Sequence, residues 1–363
     1  MAAIGLVAAL ILAATASGSV KLGALFLVGL ALGVSLYHAS FGFTGAYRRA
    51  ILEKDISGVA AQAVMLGLAT LLFAPALEMG EIFGHRAGGA VAPVSVSMLI
   101  GAFVFGIGMQ LGGGCASGAL FVAGGGDVRM VLTLIFFCAG SWLATLNMPW
   151  WRSLPSFGAL QVGKEVGFGA AALMQIAFLA AIVWALKRLG GRIERPLWSR
   201  PSAADLLRGP WPLILGAVAL ALLNWAVLAI AGHPWGVTWG FTIWGAKAAQ
   251  ALGWDPATSA YWSTAWRASA LDQPLLAGTT SVMNFGILLG AGAAATLAAK
   301  MRPSFRLPLR PIVAAVFGGL MLGYGARLAY GCNIGAFFSG VASTSLHGWA
   351  WIIAALAGNV ISV

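Results

Sequence analysis

Charge is what this sequence lacks most: only 9% of its 363 residues are Asp, Glu, Lys or Arg, against about a quarter in soluble domains. A water-facing surface cannot be covered at that density, so most of the chain is expected to face lipid. Carboxylates are the scarcest, 10 against 21 lysines and arginines, and no apolar run carries a pair of them for acid–base chemistry. Three cysteines, none in a CxxC pair, exclude a disulfide framework and a zinc cluster built by one segment. The four histidines, His38, His85, His233 and His347, stand without ligand spacing. HExxH and GxSxG are absent, and the glycine runs lack the GK[ST] ending of a phosphate-binding loop. The formal charge of +11 gathers between apolar runs with no interleaved aromatics, which argues against nucleic acid as a partner.

What the chain has instead is apolar length. Hydrophobic residues make up 60% of it and glycines number 50. Crossing hydrocarbon about 30 Å thick takes about 20 apolar residues. Runs of that kind fall near 3–17, 22–37, 57–77, 94–113, 129–147, 168–187, 211–231, 278–299, 311–330 and 346–362. Glycine suits such helices because small residues allow close backbone packing inside lipid. The run from Ala2 to Ala16 has no preceding Lys or Arg and is expected to be a retained first helix. The stretch from Trp235 to Leu252, and the segments after Cys115 and Cys332, are too short or too glycine-rich to span alone and are expected to be half-helices. Trp235, Trp239, Trp244, Trp254, Trp262 and Trp266 are expected to form an interfacial belt.

Basic residues set the orientation. Arg48, Arg49 and Lys54 form one cluster; Lys187, Arg188, Arg192, Arg195, Arg200 and Arg208 a second; Lys300, Arg302, Arg306 and Arg310 a third. All three belong in the cytoplasm by the positive-inside rule. The second, from Arg188 on, falls in a linker, 188–210, that divides a first membrane repeat, 1–187, from a second, 211–363. The halves repeat: GIGMQLGGGCASGALF, starting at Gly106, aligns without gaps on GYGARLAYGCNIGAFF, starting at Gly323, at an offset of 217 and with eight of sixteen positions identical. A fainter echo links FGFT, from Phe41, to WGFT, from Trp239. With the loops so placed, the spans before Cys115 and Cys332 run in opposite directions. The expected fold is an all-α polytopic membrane protein made of two inverted repeats with interrupted or re-entrant half-helices, a recurring transporter design.

Each motif brings glycines and one cysteine to a helix break. Gly114 and Gly118 in the first, Gly331 and Gly335 in the second, let backbone come close to a ligand, and N–H groups at a following helix start suit an anion. Cys115 and Cys332, buried in an apolar path, are expected to stay neutral thiols, weak S–H donors that touch a sulfur atom without gripping it. A lone membrane cysteine is ordinarily a small packing residue; occupation of equivalent repeat positions turns the reading toward function. Cys138 has no counterpart and is read as packing. Arg327, inside an apolar span with Gln110 at the matching place, is expected to help neutralise an anion, and Lys247 is a candidate for the same part.

At GMQLGGGCASG and GARLAYGCNIG the chain resembles the YeeE/YedE family of sulfur-transport membrane proteins. That resemblance implies an all-helical, hourglass-like molecule in the bacterial inner membrane, taking up thiosulfate or a similar sulfur oxyanion through a central path lined by the motif cysteines, here Cys115 and Cys332. Many members also carry a cysteine in an RxxFCFxxA-like segment; the matching HASFGFTGAYRRA has Gly42 in its place. Some relatives work with a small sulfur-carrier protein of the TusA type. No cofactor, metal or ATP use is expected. The rival reading is a membrane thiol oxidoreductase, which would need a proximal reactive cysteine pair; a Cu(I) channel would need a denser ladder of soft ligands.

Overall fold

The computed structural model describes residues 19–301 and 307–363; the run at 3–17, and Arg302 and Arg306, lie outside them. The main helices are α1 (Val20–Ala39), α2 (Phe43–Leu52), α3 (Ser57–Met79), α4 (Val96–Gly112), α5 (Ala116–Gly124), α6 (Val128–Leu146) and α7 (Phe168–Arg188). After the linker come α8 (Leu213–Ala231), α9 (Thr238–Ala251), α10 (Thr279–Leu297), α11 (Leu309–Leu328), a π-helical turn (Asn333–Phe338), α12 (Ser339–Ala342) and α13 (Leu346–Ser362). Eight helices or broken helices among the described residues are long and apolar enough to cross a membrane, and the protein is an all-α polytopic membrane protein. The described strands are a two-residue pair, Glu81–Ile82 with His85–Arg86.

The helix ends follow local chemistry. Ser19, Ser95 and Asp127 cap α1, α4 and α6, each side chain accepting a backbone N–H of the first turn. Ser40 takes a left-handed conformation to end α1 before the short helix α2. Of the ten apolar runs in the sequence, the nine within the described residues each coincide with one long helix, and the half-helix expectation for Trp235–Leu252 corresponds to α9.

Glycine sets how closely the helices approach. α4 and α11 pack antiparallel, Gly101 against Gly325 and Leu328, Gly112 against Gly318. A Cβ on Gly318 would lie 2.3 Å from the Gly112 nitrogen, so a side chain there would force the two helices apart. α6 lies parallel to α11, with Gly323 on Phe137, and α13 parallel to α4, with Gly358 on Phe103. Each motif-bearing span is thus clasped by the helix that follows the other half's motif. α1 packs on α10, and α8 packs on α3, in the same reciprocal manner.

The basic connections meet on one face. Asp55 lies 3.5 Å from Arg49 Nε and 3.4 Å from Arg195 Nε, Arg192 and Lys54 pair through backbone, and Lys300 borders a cavity with His38 and Arg208. The tryptophans expected to form an interfacial belt divide between core and surface, Trp266 being exposed. Trp235 and Trp262 are buried, Trp239 stacks on Trp262 with centroids 6.0 Å apart, and Trp244 donates to Ser281. Trp239, Trp254 and Trp262 pack together beside the loop helix Ala265–Asp272, which carries the exposed Trp266, whereas Trp235 is buried in the main core.

Candidate substrate path

Both motif cysteines head a helix break. α4 stops where Gly113 turns left-handed at φ +81°. Gly114 follows, and Cys115 becomes the N-cap of α5, its Sγ accepting the Gly118 N–H at 3.4 Å and lying 3.5 Å from Ser117 Oγ. A Cβ on Gly118 would stand 3.4 Å from that sulfur. In the second half Tyr330 turns left-handed at φ +60° and Gly331 sits at φ +155°, which delivers Cys332 to the head of the π-helical turn. A Cβ on Gly331 would come within 2.8 Å of the Ala336 nitrogen, whereas one on Gly114 would be 3.2 Å from the Ala119 nitrogen. Gly335 is roomier, the first neighbour of a Cβ there being the Gly236 Cα at 3.9 Å.

The two thiols belong to one buried centre. Cys115 is 1% and Cys332 0% exposed, and α5 touches the π-helical turn. α2 closes the centre from the side: the Phe43 ring stands edge-on to Phe337 at 6.4 Å between centroids, and the Tyr47 hydroxyl lies beside the Asn333 amide. Polar atoms here are unfinished. Tyr47 Oη and the Asn333 amide lie close enough to bond each other but miss good hydrogen-bond geometry, and Thr44 Oγ1, on the same helix as Tyr47, is buried without a partner among the described residues. Each such group costs about 1–3 kcal/mol, and native proteins keep few of them without a reason. Thr44, Tyr47 and Asn333 are not among the residues the sequence singles out, although an asparagine directly after a motif cysteine is a visible signal.

The remaining residues are distributed around this centre. Gly42 is the N-cap of α2 and lines a cavity of about 10 Å³ on the basic face, with Ser40, Arg49, Gln62 and Arg195. Arg327, in the last turn of α11, lies over the Trp239 ring at 5.5 Å, and Trp239 and Gly240 line a cavity of about 240 Å³ at the opposite face. Arg267 lies over Tyr261 at 4.1 Å and Arg152 over the same ring at 5.5 Å. Burial pulls the Arg267 guanidinium below its ordinary value, Tyr261 opposes this, and Arg152 and Arg327 add to it, so three cations share this end. Two candidates are engaged elsewhere: Gln110 donates to Asn359 at 2.7 Å, tying α4 to α13, and Lys247 donates to the Leu271 carbonyl, anchoring the loop helix. Cys138 is half-buried on α6, its carbonyl against Gly245 of α9.

Broken spans meeting at a buried polar centre, with a cavity toward each face, define a membrane transporter. Residues 38–361 match the family model for sulphur transport, and the chain belongs to that family. It is 27% identical over 342 residues to a thiosulfate transporter, TsuA, of Spirochaeta thermophila, covering 92% of this chain and 95% of the relative. It is 24% identical over 343 residues to the Escherichia coli thiosulfate transporter TsuA, 89% of this chain and 88% of the relative. Against a probable transporter, YedE, of Escherichia coli it is 33% identical over 149 residues, 41% of this chain and 36% of the relative. These relatives are transporters by name, which sets the thiol oxidoreductase reading aside.

Proposed function

We propose that this chain carries thiosulfate or a closely related sulfur oxyanion inward across a bacterial inner membrane, through a path on which Cys115 and Cys332 are the narrow point. The observation that carries the reading is the buried centre itself, where two paired-motif thiols stand beside the Tyr47 hydroxyl and the Asn333 amide, poorly bonded to each other, with the partnerless Thr44 Oγ1 on the same helix as Tyr47. A small anion passing between them would supply the missing partners, and a neutral thiol would touch its sulfur without arresting it. Arg327, Arg267 and Arg152 would raise the local anion concentration at the outer mouth, since clustered charge at a low-dielectric wall steers ions.

The inverted repeat is part of this reading. It is supported by the antiparallel packing of α4 on α11 and by the reciprocal clasp of α6 and α13. With the basic loops in the cytoplasm, the cavity beside Trp239 faces outward and the one beside Gly42 inward. A sulfur-carrier protein of the TusA type would accept the product on the cytoplasmic side. The test is uptake of labelled thiosulfate by cells lacking other thiosulfate importers. Cys115→Ala and Cys332→Ala are each expected to abolish uptake at unchanged membrane expression, and Cys138→Ala to leave it unaltered. Normal uptake in both motif variants would return those cysteines to packing.

A further inference from the structure

The two mouths occupy corresponding places in the two halves but differ in size. FGFT borders the inner one and WGFT the outer, and Gln62 stands five residues into the span from Ser57 as Asn284 stands five into the span from Thr279. The outer cavity measures about 240 Å³ and the inner about 10 Å³. Side chains make the difference. Arg49 from α2 and Arg195 from the linker close the inner mouth, and the linker is strapped there by backbone bonds of 2.8 Å between Ile56 and Arg192 and between Arg192 and Lys54.

This closure is electrostatically incomplete. Both guanidinium Nε atoms face one oxygen, Asp55 Oδ2, at 3.5 and 3.4 Å, outside the roughly 2.7–3.2 Å of a direct N–H···O bond. Neither Nε completes a hydrogen bond among the described residues. The other carboxylate oxygen is taken by the backbone N–H and hydroxyl of Ser57. Asp55 is itself buried, at 2% exposure, as is Gln62, at 4%, on the wall of the same cavity. Glu53 also lies within Coulombic reach of Arg49, so what Asp55 leaves unmet beside Gly42 is the hydrogen-bonding capacity of two guanidinium forks.

We propose that Arg49, Arg195 and Gln62 form the inner receiving site for the transported oxyanion, with Asp55 as its tethered competitor. The proposal rests on the reading of the chain as an oxyanion path. A tetrahedral anion offers several oxygens to two guanidinium forks, a better match than one shared carboxylate oxygen at 3.4–3.5 Å, so it displaces Asp55 and opens the mouth. Being tethered, Asp55 then competes at high effective concentration and returns as the anion leaves. The site recognises charge and tetrahedral shape, so it does not distinguish thiosulfate from sulfate; that selection belongs to the cysteines.

Phenylglyoxal labelling of the full-length protein, read at Arg195 by peptide mass spectrometry, tests this without requiring transport. Millimolar thiosulfate and sulfate are expected to protect Arg195 equally. Asp55→Asn should lower the protecting concentration about tenfold and Arg49→Gln should raise it about tenfold, as the loss of one charge-assisted contact implies. Arg195 labelling that no anion changes, or an Arg49→Gln midpoint within twofold of wild type, overturns the proposal; the latter decides alone if Asp55→Asn does not fold. Failure of the transport reading looks different: no uptake of labelled thiosulfate, with anion protection and its dependence on Arg49 intact.

Discussion

Gly331→Ala separates the two motifs in a way their alignment cannot. Gly331 has φ +155°, a region nearly closed to residues with a Cβ and costing on the order of 1–3 kcal/mol when one is forced into it. The added carbon would lie 2.8 Å from the Ala336 nitrogen and 3.1 Å from the Gly335 carbonyl carbon. Both are backbone of the π-helical turn that Cys332 begins, so no side chain can swing aside. Strain and clash together are expected to destabilise this segment by about 3 kcal/mol unless the turn moves, and moving it carries the Cys332 sulfur with it. Displacing a functional group by about 1 Å costs on the order of a hundredfold in catalysis, and a comparable loss is expected for uptake. Gly114→Ala, at the matching position, meets the Ala119 nitrogen at 3.2 Å and should lose far less. Thermal unfolding of detergent-solubilised protein, followed by size-exclusion chromatography, and thiosulfate uptake at matched expression would compare the pair. A Gly331→Ala protein with wild-type melting and uptake, or a Gly114→Ala protein that fares worse, would refute the reasoning.

Tyr47→Phe removes a buried hydroxyl whose one near partner is the Asn333 amide, so stability should change by no more than about 1 kcal/mol while uptake falls; equal loss of both would make Tyr47 structural. Gly42→Cys should fold normally, because φ there is −112° and an added Cβ meets nothing within 4 Å, and its thiol should react with a reagent applied from the cytoplasmic side but not from outside. Arg327→Gln should raise the uptake KM roughly three- to tenfold, the effect of removing one partly screened charge, with Arg327→Lys retaining more activity; unchanged KM in both would reduce Arg327 to a partner of Trp239.

Hydropathy alone fixed the membrane class and the helix positions, because crossing about 30 Å of hydrocarbon demands length and apolarity that local sequence either has or lacks. The repeat was legible for a similar reason: a chain that breaks a helix at Gly114-Cys115 and again at Gly331-Cys332 must write the break in glycine. Tertiary structure decided what those residues meet. Gln110 and Lys247 looked like path residues by being polar inside apolar runs, but a polar side chain in lipid can equally be satisfied by a neighbouring helix or loop, and Asn359 and the Leu271 carbonyl take them. Average depth rules send the tryptophans of the second half to the interface, whereas tertiary packing buries Trp235 and Trp262. Thr44, Tyr47 and Asn333 became visible only when chain segments nearly 300 residues apart closed around the cysteines. Arg195 reaches the small cavity beside Gly42 only because the linker folds back on Asp55. Apolarity is a property of each segment by itself; hydrogen-bond satisfaction and charge pairing belong to the atoms that the fold brings together.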